Sequence, residues 1–275
     1  LNVIEASSAV GSQMLTIGAP TYTVSAVDGY TDTVSYGLEL AGGTATGLVT
    51  TAGGYAIVLV ATSGSLIEGR YDSDGDTVLD ATAFTIGLSG TQVTLTSLVA
   101  LEHDNTQGGG EDNTLDLNSL IQVRATVTVT DGDNDQVVDS TSVSSALSLQ
   151  IGDTDPTAVA GPVLSIAETA GSAAGEDLLL NDSQGADGAT LTHVSFDGGS
   201  TWEDIAAVGT TSITPVGGQG TYTFDASGAW SFDPTVNPSI SNQSGNFLYL
   251  ITDGDGDTSE ALQEVISTNV ETPLM

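Results

Sequence analysis

Hydrophobic and polar residues alternate with a period of two along much of this chain. The clearest run covers residues 121–130, where isoleucine, valine or alanine occupies every odd position and a polar residue every even one. Successive side chains of a strand lie on opposite faces, so the run predicts a β-strand with one buried face. Shorter runs predict further strands at residues 22–27, 34–40, 55–62, 84–88 and 93–98. No segment has convincing helical periodicity, and we predict an all-β protein.

An aromatic hairpin is predicted in the second half of the chain. Residues 221–224 and 229–232 flank the turn sequence Asp-Ala-Ser-Gly. The alternation places four aromatic side chains on one face, namely Tyr222, Phe224, Trp230 and Phe232. Aromatic pairs of this kind stabilise sheets, so a buried core is favoured over a platform for stacking a ligand.

A domain boundary is predicted where a strand runs into Gly152-Asp153-Thr154-Asp155-Pro156, because proline cannot continue a β-ladder. An internal repeat supports two domains: T-D-G-D-x-D occurs at residues 130–135 and again at 252–257, each time after a predicted strand. We therefore expect two β-sandwich domains in tandem, residues 1–155 and residues 156–275. The second is expected to be immunoglobulin-like, since its size and strand spacing suit that architecture.

Charge is the most unusual property of the 275-residue chain. Asp and Glu number 36 against only two basic residues, Arg70 and Arg124, which leaves a formal net charge of −34. Binding to phosphate needs clustered Lys or Arg, so nucleic acid and anionic membranes are excluded as partners. No apolar run reaches the roughly 18 residues that a membrane-spanning helix needs. Like-charge repulsion favours a monomer, and it also calls for bound cations.

Three Asp clusters are candidate calcium sites. The first contains Asp72, Asp74, Asp76 and Asp80, the second Asp131, Asp133 and Asp135, and the third Asp253, Asp255 and Asp257. Alternate carboxylates in a glycine-containing turn supply the flexible oxygen ligands that Ca²⁺ prefers, whereas Mg²⁺ requires stricter geometry. Thr77 stands where an EF-hand loop requires glycine, so the first cluster is not an EF-hand. The alternative is that each cluster is an ordinary turn with solvated carboxylates.

The domain boundary and one long loop carry further candidates. Asp153 and Asp155 are expected to hold an ion that stiffens the linker. The loop after residue 101 contains five candidate ligand-binding residues, namely Glu102, His103, Asp104, Glu111 and Asp112. Long loops in compact β domains are often functional. The alternatives are a loop that carries one structural ion and, for His103, an ordinary surface histidine.

Enzymatic activity is not expected. The chain has no Cys, so cysteine nucleophiles, disulfides and thiolate metal sites are excluded. Motifs of serine hydrolases, phosphate-binding loops and dinucleotide-binding folds are also missing. Paired carboxylates occur by chance among so many acids and carry little information.

At several of these motifs the sequence resembles the large RTX (repeats-in-toxin) adhesins that Gram-negative bacteria export by type I secretion. The first half resembles a domain that recurs in such proteins, through residues 35–40, 69–70, 72–76, 83–86, 98–104 and 130–133. The second half is similar to their cadherin-like or VCBS-type immunoglobulin-like modules, through residues 177–182, 220–225, 228–232 and 252–257. The G-G-x-G-x-D-x nonapeptide repeat is not present.

The resemblance implies an extracellular part of a longer, surface-attached chain that several Ca²⁺ ions rigidify. Two functions stay open. In the first, residues 1–155 bind a peptide or protein end, or a glycan, on another cell or biofilm partner, and residues 156–275 form a support. In the second, both domains are spacers between neighbouring domains of the same chain, as the shared T-D-G-D-x-D motif suggests.

Overall fold

The computed structural model describes residues 1–5, 11–103, 114–117, 119–142, 147–236 and 241–270. The chain divides into two compact units, Leu1–Thr154 and Asp155–Met275. Each unit has a separate hydrophobic core. The described residues contain β-strands and one short 3₁₀ helix, which confirms the all-β prediction.

The first unit contains twelve described strands in three sheets. They are β1 (Asn2–Ile4), β2 (Gly11–Thr16), β3 (Tyr30–Leu40), β4 (Ala45–Val49), β5 (Ala56–Ser63), β6 (Leu66–Tyr71), β7 (Ala81–Ser89), β8 (Gln92–Ser97), β9 (Thr114–Asp116), β10 (Ile121–Asp131), β11 (Gln136–Ser142) and β12 (Gln150–Gly152). The large sheet has the order β2-β8-β7-β6-β5-β4, and the facing sheet has the order β11-β10-β3. A small sheet, β1-β12-β9, contains the parallel pair β1 and β12.

The second unit contains eleven described strands, also in three sheets. They are β13 (Leu164–Ala167), β14 (Ala173–Ala174), β15 (Thr190–Ser195), β16 (Glu203–Asp204), β17 (Thr210–Ile213), β18 (Gly220–Asp225), β19 (Trp230–Pro234), β20 (Gln243–Ser244), β21 (Phe247–Thr252), β22 (Thr258–Gln263) and β23 (Val265–Thr268). The sheet orders are β14-β19-β18-β17, β16-β15-β21-β22 and β13-β23-β20. A 3₁₀ helix, Leu178–Leu180, begins where the Asp177 carboxylate accepts the N–H of Leu179.

Most of the predicted strands are confirmed. The alternating run at residues 121–130 lies in β10, and its odd-numbered residues from Ile121 to Val127 are buried. The aromatic hairpin is formed by β18 and β19, where Tyr222 pairs with Phe232 and Phe224 pairs with Trp230. All four rings are buried in the core of the second unit, so the core interpretation is confirmed.

The predicted strand at residues 22–27 is wrong. These residues belong to no strand, and the Tyr22 hydroxyl donates a hydrogen bond to the Asp32 carboxylate of β3. Val24 and Ala26 are half-buried, whereas Thr23 and Ser25 are exposed. The alternation therefore reflects one-sided burial here, without the hydrogen bonds of a strand.

Candidate metal centres

Three carboxylates converge in the second unit at the turn between β21 and β22. One oxygen each from Asp187, Asp253 and Asp255 lies within 4.8 Å of the other two. Asp253 Oδ1 accepts the N–H groups of Gly256 at 3.1 Å and Asp257 at 2.7 Å, so the turn positions this side chain. Asp187 Oδ2 accepts the N–H of Asp255 at 2.9 Å. We call these three residues the buried Asp centre.

Burial distinguishes this centre from an ordinary acidic turn. Asp253 and Asp255 are only 8% and 9% exposed. Burial, together with the nearby Asp255 and Asp187 carboxylates, raises the pKa of Asp253 to about 8. Asp253 Oδ2 is also buried, and the Asp253 side chain interacts with that of Asp255. A cation at this position would neutralise the repulsion between the carboxylates.

The membership of this centre differs from the predicted triplet. Asp253 and Asp255 are brought together as expected, but Asp187 is the third carboxylate. Asp257 contributes its backbone N–H to Asp253. Asp187 lies in a short turn before β15, and its Asp-Gly sequence predicts a turn without indicating a ligand.

The second predicted cluster gains a residue in the same way. Asp131 and Asp133 converge with Asp28, which lies in the segment between β2 and β3. Asp135 donates its N–H to Asp131 Oδ1 at 2.9 Å and stabilises the turn. Asp28 and Asp133 are exposed, so water can solvate this cluster without an ion.

The first predicted cluster is an exposed loop that stabilises itself. Asp72, Asp74 and Asp76 converge, and Asp72 accepts the N–H groups of Gly75 at 2.8 Å and Thr77 at 2.7 Å. Asp80 instead accepts the N–H and hydroxyl of Ser73, which lower the pKa of its carboxyl group.

A fourth group in the first unit contains a histidine. His103 Nδ1 lies 3.9 Å from Glu5 Oε2 and 3.9 Å from Asp153 Oδ1, and 2.8 Å from the carbonyl oxygen of Leu101. Glu5 and His103 are 2% and 4% exposed, so the interpretation of His103 as a surface histidine is wrong. Glu5 stands alone in the sequence, and no motif identifies it.

Two further candidates, Glu102 and Asp155, are exposed and belong to none of these groups. Asp104, Glu111 and Asp112 lie outside the described residues.

The donor atoms of these groups favour different ions. All ligands of the buried Asp centre are carboxylate oxygens, which suit hard cations such as Ca²⁺. The histidine nitrogen of the fourth group is a softer donor, and transition metals accept it more readily. The oxygen-only buried Asp centre is therefore the stronger candidate for Ca²⁺.

A family model described as "Domain of unknown function (DUF5801)" matches residues 5–144, just over half of the chain. The chain belongs to the DUF5801 family. The DUF5801 match begins at Glu5 and includes the clusters around Asp72 and Asp131. It ends before the second unit, and so it does not include the buried Asp centre.

Solved structures resemble this DUF5801 chain only distantly. Protocadherin gamma B2 extracellular cadherin domains 1–5 have a TM-score of 0.32 and 11% identity, and the match covers 88% of this chain and 41% of that one. Mouse cadherin-23 EC22–24 has a TM-score of 0.28 and 13% identity, covering 75% and 52%. The chain thus spans about half of those chains or less, and the likeness is too distant to bear on function. No curated protein sequence matches. Among the described residues, no helix combines the length and apolar character needed to cross a membrane.

Proposed function

We propose that this chain is a Ca²⁺-dependent section of a bacterial surface adhesin of the RTX type. In this proposal the second unit is a support stiffened by Ca²⁺, and the first unit recognises a peptide or protein end on another cell or biofilm partner. The observation that carries the proposal is the convergence of the half-buried Asp187 with the buried Asp253 and Asp255.

The electrostatics of the buried Asp centre support a cation as part of the folded structure. Close carboxylates repel one another, and burial removes the water that would screen them. A ligand that binds only the folded state stabilises it by mass action, by about 2.7 kcal/mol when its concentration is a hundredfold above Kd. Such an ion would tie the turn after β21 to the segment before β15, and this would stiffen the unit.

An extracellular setting fits these features. Extracellular calcium modules bind Ca²⁺ with Kd values of about 10⁻⁴ to 10⁻³ M, so such sites are loaded outside the cell. The absence of Cys means that bound ions would do the work that disulfides do in other secreted domains. Attachment to the cell surface and export by type I secretion rest on the sequence resemblance. The proposed role is non-enzymatic.

A purely structural spacer is the second candidate function. The position of the buried Asp centre favours it, because that centre lies in the unit to which we assign support. Both candidates require Ca²⁺, and only the first requires the full chain to capture a ligand.

The test compares thermal unfolding of the full chain in millimolar Ca²⁺, in Mg²⁺ and in EDTA. We expect Tm to rise by many degrees in Ca²⁺ and much less in Mg²⁺, and Asp253→Asn to reduce the rise. Asp233→Asn is the control, because Asp233 is an exposed acid of the same unit. Equal melting in Ca²⁺ and EDTA would contradict the proposal.

A further inference from the structure

An open groove of about 950 Å³ crosses one face of the sheet in the first unit. Its floor is apolar and includes Val127, Val129 and Val137. Val129 pairs with Val137 across β10 and β11, so their side chains lie on the same face. The segment of residues 20–28 forms the opposite wall.

The wall is held at both ends. Near one end, the Tyr22 hydroxyl donates a hydrogen bond to the Asp32 carboxylate of β3. At the other end the backbone of Asp28 packs against Gly132, where an added Cβ would lie 2.6 Å from the Asp28 carbonyl oxygen. The groove therefore has two defined sides rather than a single open face.

The floor remains accessible although it is apolar. Val137 is 69% exposed, and Val127 lies deeper at 7%. The rim, by contrast, is acidic, with five carboxylates along it, namely Asp28, Asp131, Asp133, Asp135 and Asp139. The described lining contains no Lys or Arg.

We propose that this groove binds a basic peptide segment of another protein, with apolar side chains on the valine floor and Lys or Arg side chains at the acidic rim. Charge complementarity selects this occupant, because an apolar floor alone does not discriminate between partners and the rim repels anions. A second copy of the chain is a poor occupant, since it carries a net charge of −34 and only two basic residues. The proposal rests on the assignment of recognition to the first unit.

One Ca²⁺ at Asp28, Asp131 and Asp133 would not reverse the preference for a cationic occupant. Those three carboxylates exceed the charge of the ion by one, and Asp135 and Asp139 add two further negative charges. The groove stays negative with or without the ion.

The experiment measures binding of three short fluorescent peptides to the full chain in Ca²⁺, after circular dichroism has shown that it is folded. One peptide alternates valine and lysine, the second valine and glutamate, and the third serine and lysine. We expect binding of the first, none of the second, and at least roughly fivefold weaker binding of the third, which corresponds to about 1 kcal/mol.

Matched variants locate the binding. Val137→Ser should weaken the valine and lysine peptide about fivefold, whereas Val138→Ser should not, because Val138 is the next residue of β11, is 60% exposed and does not line the groove. Replacing Asp135 and Asp139 with Asn should weaken binding and reduce its sensitivity to salt. Asp116→Asn is the charge control, since Asp116 is an exposed acid outside the groove.

Several results would overturn the proposal. These are no binding of the valine and lysine peptide, equal binding of the serine and lysine peptide, or binding that Val137→Ser leaves unchanged. Failure of the calcium proposal is seen separately in the melting curves, because the peptide assay requires only that the chain is folded.

Discussion

The Asp187 carboxylate accepts the backbone N–H of Asp255 at 2.9 Å, although 68 residues separate them in sequence. This contact joins the segment before β15 to the turn after β21, and it places a third carboxylate beside Asp253 and Asp255. Asp187 therefore has two roles here, as an acceptor for the turn and as a candidate metal ligand.

Asp187→Asn separates these roles, because the amide oxygen can still accept the N–H while the negative charge is lost. We expect a modest change in Tm in EDTA and a clear loss of the Ca²⁺-induced rise. A tenfold loss of affinity corresponds to about 1.4 kcal/mol of the stabilisation by Ca²⁺. Calorimetric titration of Ca²⁺ measures the affinity directly, and unchanged affinity would remove Asp187 from the site.

Asp253→Asn should have opposite effects in EDTA and in Ca²⁺. The pKa of Asp253 is about 8 in the folded protein, well above the ordinary value for Asp. The folded state therefore holds a proton that the unfolded state releases, and its stability without metal falls as pH rises from about 4 to 8. The variant should be more stable than wild type in EDTA at pH 8 and gain less from Ca²⁺. Urea unfolding between pH 5 and 8 tests this, and a parallel pH dependence of both proteins would contradict it.

Gly69→Ala should destabilise the first unit. A Cβ at Gly69 would lie 2.4 Å from the ring of Phe84, its fully buried partner across β6 and β7. Overpacking of this kind costs about 1 to 3 kcal/mol. Gly87→Ala, in β7, is the control because no atom lies within 4 Å of its added Cβ. Equal urea midpoints for the two variants would show that the Phe84 ring moves aside without cost.

Asp197 should contribute stability that disappears in acid. The Thr201 hydroxyl and N–H and the Ser195 hydroxyl bind its carboxylate and lower its pKa to about 2. Because the folded pKa lies below that of an unfolded Asp, the contribution is present above pH 4 and is lost as pH falls towards 2. Asp197→Asn should lower the urea midpoint at pH 6 and approach wild type near pH 2. A constant difference across this range would be inconsistent with the charge as its cause.

Local patterns in the sequence predict much of the fold. Alternation at residues 121–130 predicts β10, and the paired aromatic runs predict β18 and β19, because strand periodicity and a short turn act over neighbouring residues. The T-D-G-D-x-D motifs likewise lie in hairpin turns, where the first Asp accepts backbone N–H groups three or four residues later.

Contacts between segments that are distant in the sequence determined the composition of the candidate sites and the path of residues 22–27. Asp187 joins Asp253, Asp28 joins Asp131, and Glu5 joins His103, and each pair meets only after separate strands have packed. For the same reason residues 22–27 form a wall rather than a strand, because a strand requires a partner edge that their sequence does not specify. The sequence by itself thus determined the strands, the turns and the acidic character of this protein. Which carboxylates share a site was decided by the tertiary structure, because long-range sheet pairing sets the distances between them.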